Sequence, residues 1–147
     1  MAIKSYKPLI RLAKQVLDEK RRKLGELMRL EQQLLAQIAA IEQQVVDEQA
    51  IASRSVEVSY VYPAFASSAF KRRDVILDQV AYVRRQIELA RIEVQGAHQE
   101  VRKYEIAEEN RLKRVKAERE KREQLEADEL SIQRFGYARS VAMRDEV

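Results

Sequence analysis

The chain has 147 residues, with 28 Lys and Arg against 24 Asp and Glu, a net charge of +4 and no Cys. Three Gly and two Pro are too few for the many sharp turns of a sandwich, a barrel or a doubly wound sheet. Without Cys there is no disulfide framework or thiolate metal site, and the single His98 excludes a His-rich metal cluster.

The first residues, Met1 to Lys14, are basic and only intermittently apolar, unlike a leader sequence. No stretch approaches the ~18 apolar residues of a membrane-spanning helix. A cytoplasmic protein is the expectation. Pro8 suits the first turn of a helix. From there a seven-residue repeat begins. One set of seam positions reads Ile10, Leu17, Leu24, Glu31, Ile38, Val45 and Ala52. The other reads Ala13, Lys20, Leu27, Leu34, Ile41 and Glu48. Mostly apolar residues at a and d over six heptads predict a coiled-coil helix over about residues 7–53, roughly 70 Å long.

The repeat then fails. Ser53, Ser55, Ser59 and Pro63 interrupt it, which predicts a turn over about 54–62. Val56, Val58, Tyr60 and Tyr62 alternate there with a period of two. A short strand would give that pattern, but a strand without a partner is unstable. An irregular turn packed by aromatics is the preferred expectation. Pro63 would then open helix 2, with Tyr62 extended before it.

Helix 2 is expected over about 63–135, with a tail over 136–147 beginning at Gly136. Its seam reads Arg73, Val80, Ile87, Val94, Val101, Glu108, Val115 and Arg122 at a. At d it reads Ile76, Val83, Ala90, Ala97, Tyr104, Arg111, Glu118 and Leu125. It is apolar to Tyr104 and mostly charged from Glu108. A turn centred near Val61 would set Pro8 beside roughly Arg114. The expected fold is therefore all-α. It is a single elongated domain, an antiparallel two-helix coiled coil (a helical hairpin) with helix 2 overhanging helix 1.

No catalytic motif is present: no Gly-rich phosphate loop, no nucleophile elbow and no metal-ligand spacing. A two-helix hairpin offers no dry cavity for a substrate. The expectation is a protein that is not an enzyme and needs no cofactor. Charge is more informative. Residues 1–23 hold eight basic and two acidic side chains, a net of +6, including Lys14, Arg21, Arg22 and Lys23. Residues 111–122 hold seven against two, a net of +5, including Arg111, Arg114 and Lys116. The antiparallel arrangement would gather both stretches at the open end, as a surface for an acidic partner. Nucleic acid is disfavoured, because acids follow at Glu123, Glu126, Asp128 and Glu129 and few aromatics could stack on bases. Val75, Tyr82 and Leu89 share position c of helix 2, with Ile92 beside them. They would face water on an isolated hairpin, a second candidate docking surface. On the overhang, Leu130, Ile132, Phe135 and Tyr137 would also need cover.

Four segments resemble the FliJ family of the bacterial flagellar type III export apparatus. They are Pro8-Leu9-Ile10-Arg11-Leu12, Tyr60-Val61-Tyr62-Pro63-Ala64-Phe65, Lys103-Tyr104-Glu105, and the segment from Leu125 to Phe135. The direct succession Tyr62-Pro63 departs from the family pattern. The resemblance implies a coiled coil similar to the central stalk of rotary ATPases, with no enzymatic activity. It implies three partners: the hexameric export ATPase, the cytoplasmic domain of the export gate, and export chaperones. It also implies a cytoplasmic protein held at the inner face of the membrane only through those partners. Under it, Lys14, Arg21, Arg22, Lys23, Arg111, Arg114 and Lys116 are candidates for the ATPase contact. Val75, Tyr82, Leu89 and Ile92 are candidates for the gate or chaperones, and Ile132 and Phe135 for a tail contact. The alternatives are a self-associating structural coiled coil and the equivalent stalk of a virulence-type secretion system. A prefoldin-like chaperone ranks lower, because residues 53–69 are too few for its β-hairpins.

Overall fold

The computed structural model describes residues 4–145, and it consists of two helices, α1 (Lys7–Ala52) and α2 (Val56–Asp145). No strand occurs among the described residues, and the fold is the all-α hairpin that the heptads require. None of these helices is long and apolar enough to cross a membrane. The chain divides into two compact units. One comprises Arg11–Val101, and the other joins Met1–Ile10 to Arg102–Val147.

In the unit from Arg11 to Val101, α1 and α2 pack antiparallel along the two seams. Leu34 and Ile38 meet Val80, Val83 and Ile87, flanked by Leu24, Leu27, Leu35 and Ile76. Leu17 meets Ala97 and Val101 towards one end. Ile41 and Val45 meet Ala69 near the turn, where Ala69 has no exposed surface. Every described a and d position from Ile10 to Glu48 and from Arg73 to Arg111 is buried or half-buried. Burying each such Leu, Ile or Val contributes about 1.5–3 kcal/mol, so the seam dominates the stability of the pair. Ion pairs bridge its edges. Arg84 reaches Glu31 at 3.1 Å, and Glu93 meets Lys20 at 3.3 Å and Lys23 at 3.9 Å. Such exposed pairs add little energy, but they fit only one register.

The turn differs from the expectation. It is only Ser53-Arg54-Ser55, and it uses no glycine and no positive φ. The Ser53 hydroxyl donates to the Ala50 carbonyl at 2.7 Å, and the Arg54 amide donates to the Ile51 carbonyl at 3.0 Å, closing α1. Ser55 starts α2: its carbonyl accepts the Ser59 amide at 3.0 Å, and Glu57 sits favourably in the positive first turn. The segment expected as an irregular turn or strand is therefore helix. Val56 and Tyr60 are exposed, while Val58, Tyr62 and Phe65 turn inward at helical spacing. Tyr62 and Phe65 pack on the Ile41–Val45–Ala69 cluster, and that packing overrides the breaker signals. Pro63 does not open the helix: it lies inside it, seven residues after Val56.

The register shifts accordingly. With the turn earlier than expected, Tyr6 meets Glu108, where Pro8 was expected beside Arg114. Gly136 ends nothing. α2 continues through it to Asp145, and residues 146–147 of the expected tail lie outside the described residues.

Candidate partner-binding site

In the unit containing the N-terminus, one buried charge stands out. Glu108 is 7 % exposed and occupies an a position of the seam. Its carboxylate accepts the Tyr6 amide at 2.7 Å, and the Ser5 hydroxyl lies 3.4 Å away. Arg111, one turn further along α2, donates to the same carboxylate at 2.7 and 3.1 Å. The Ser5 hydroxyl in turn accepts the Lys7 amide at 3.2 Å. A carboxylate from α2 thus caps the start of α1, where backbone amides point outward and negative charge is favoured. Arg111 first, and the Tyr6 amide second, hold the Glu108 carboxyl down to about 2 from the usual 4.5. Glu108 in return raises the pKa of Arg111. Sequence reasoning read Glu108 only as the point where the apolar seam fades. The available signal was a charged a residue followed three positions later by its counter-charge.

The basic candidates divide between the units. Lys14, Arg21, Arg22 and Lys23 are exposed on α1 within the Arg11–Val101 unit, and Lys23 is partly engaged by Glu93. Arg111, Arg114 and Lys116 belong to the other unit. Arg111 is engaged by Glu108 and only 21 % of its side chain is exposed, so it is a structural cation rather than an open one. Arg114 and Lys116 lie in water, the latter 3.9 Å from Glu120.

The c stripe of α2 is exposed as its spacing predicts: Val75, Tyr82, Leu89 and Ile92 are each more than half accessible. Arg85 lies over the Tyr82 ring, 5.9 Å from its centre. The stripe also forms the wall of a groove against α1. One hollow, of about 490 Å³, lies between Gln37, Ala40, Ile41 and Gln44 of α1 and Arg72, Val75 and Ile76 of α2. The next, of about 480 Å³, lies between Leu30 and Leu34 of α1 and Val75, Asp78, Gln79, Tyr82 and Val83 of α2. Moving from one hollow to the next advances the lining by seven residues on each helix, from Gln37 to Leu30 and from Val75 to Tyr82. Apolar hollows at heptad spacing between two helices match the knobs of a third helix.

Beyond Arg111, every described residue of α2 is exposed. Ile132 and Phe135 are 72 % and 70 % accessible, with Leu130 and Tyr137 also bare.

The comparisons agree with the geometry. The family model described as flagellar FliJ protein matches residues 3–140 of the chain. No curated protein and no solved structure matches it.

Proposed function

The chain belongs to the flagellar FliJ family, whose role lies in flagellar protein export, and from that premise we propose that it acts there as a central-stalk-like coiled coil. It binds the hexameric export ATPase through exposed basic side chains. It meets the export gate or an export chaperone through the c stripe of α2. It acts by docking and not by catalysis, and it is held at the membrane only through its partners.

The observation that carries this reading is the family match over nearly the whole chain, on a fold that is two paired helices and one long unpaired segment. Paired helices with charged faces, and an uncovered stretch of α2 beyond Arg111, suit docking against other subunits. The basic residues assigned to the ATPase are Lys14, Arg21, Arg22, Lys23, Arg114 and Lys116. Arg111 contributes by holding Glu108. The contact is electrostatic in origin and therefore weakens with salt.

The test is a pull-down of the purified chain with the export ATPase at low and high salt, with ATP hydrolysis followed in parallel. Binding at low salt that fades at high salt, together with faster hydrolysis, is the expected result. Reversing Arg21, Arg22, Arg114 and Lys116 to Glu is expected to abolish both. Unchanged binding by that variant would remove the basic residues from the interface. No binding by the natural chain at either salt concentration would remove the stalk reading itself.

A further inference from the structure

From the charge order along the unpaired part of α2, we infer that two copies of this chain pair antiparallel through residues 112–130. This inference goes beyond the stalk reading and does not depend on it, although the two surfaces share Lys116; the Glu123→Arg, Glu126→Arg chain tests the pairing without touching the residues assigned to the ATPase.

Three observations carry it. The first is that all described residues from 112 to 145 are exposed, although α2 remains a helix to Asp145. The helix face that receives the start of α1 at Glu108 continues through Leu112 and Val115 with nothing covering it. Leu112 is 50 % accessible, Val115 48 % and Leu130 54 %.

The second is the order of charge. Residues 111–122 carry a net of +5, and residues 123–129 carry four acids and no base, a net of −4. Among the described residues from 112 to 130, the ion pair formed is Lys116–Glu120 at 3.9 Å. Where acids follow bases at i,i+4 on one helix, as in Arg119 and Glu123, the order opposes the preferred one of Glu before Lys or Arg. Most of the charge in both blocks is therefore available to another helix. A parallel second copy would set like block against like block. An antiparallel copy sets each basic block against an acidic one, twice.

The third is that a single antiparallel alignment satisfies both charge and apolar surface. With Leu112 opposite the partner's Leu130, Val115 falls opposite Ala127, Lys116 opposite Glu126, and Arg119 opposite Glu123. All eight positions lie on one side of the helix at 3.6 residues per turn. The alignment is reciprocal, as a two-fold interface requires. Apolar contacts close its ends and opposite charges fill its middle. The paired segment is about 28 Å long. Exposed ion pairs are individually weak, so the dimer is reversible and salt-sensitive.

Sedimentation of the full chain is expected to show a doubled mass at low salt that falls to the monomer at high salt. Two charge-reversed chains test the alignment, one with Lys116→Glu and Arg119→Glu, the other with Glu123→Arg and Glu126→Arg. Each alone is expected to be monomeric, and their mixture to recover the dimer, because the reversed blocks complement each other. Because the chain lacks Cys, Leu112→Cys combined with Leu130→Cys gives a clean cross-linking readout. The double variant is expected to form interchain disulfides and either single variant not to. Circular dichroism checks that the variants stay helical. A monomer at low salt, a dimer indifferent to both reversals, or equal cross-linking by the single variants would each overturn the inference.

Discussion

Glu108 shows how one side chain can set where a helical pair ends. Removing its partners would leave a buried carboxylate, so Ser5, Tyr6 and Arg111 must all be in place for the seam to close over it. Its folded pKa, near 2, lies below the usual 4.5. Between those values the unfolded chain binds a proton that the folded chain does not. The contribution of Glu108 is thus fully present above about 4.5 and is lost as the pH falls through about 2. Glu108→Gln, which cannot carry the charge, is expected to lower the melting temperature at neutral pH and to flatten its decline in acid. Circular dichroism melts across that range check this, and parallel curves for the two proteins would contradict it. Hydrogen exchange should localise the defect to the first turn of α1, where the Glu108 carboxylate accepts the Tyr6 amide.

At the level of the elements, the seam was fully legible and the turn was not. Ile10, Leu17, Leu34, Val80, Ile87 and Val101 occupy their heptad positions without a slip, since a period of 3.5 repeated many times specifies one face. The turn carried misleading signals. Serines and a proline read as breakers, while inward packing of Tyr62 and Phe65 outweighed them. Pro63 accordingly sits where a helix pays for it: it cannot donate to the Ser59 carbonyl. Pro63→Ala is expected to stabilise the hairpin by about 1–3 kcal/mol, read as a higher denaturation midpoint. A destabilised variant would mean that the proline ring is needed for packing. Facing positions sum to about 114 (Tyr6 with Glu108, Lys20 with Glu93, Glu31 with Arg84) instead of the expected 122, which is why Glu108 and not Arg114 faces the first residues.

For the molecule as a whole, the candidate surfaces were legible wherever they follow from position on one helix. The Val75–Tyr82–Leu89 stripe is such a case, and so are the bare Ile132 and Phe135. What could not be read was the contribution of α1 to the groove, because that depends on the cross-helix register. Replacing Tyr82 and Leu89 with Ser is expected to spare helicity, since both are more than half exposed. It is expected to weaken binding to the gate domain or chaperone tenfold or more in a titration followed by calorimetry. Unaltered affinity would exclude the stripe from that contact.

The repeated hollow along the two helices has a consequence for how any guest is held. A guest helix displaced by one heptad, about 10.5 Å, leaves one hollow and enters the next without turning about its axis. The stations are similar but unequal, because Tyr82 and Leu30 wall the second and Gln37 the first, with Val75 shared between them. Such a surface behaves as a short track with graded stops. A guest can advance along it by exchanging one equivalent set of contacts for another, never fully releasing the helical pair.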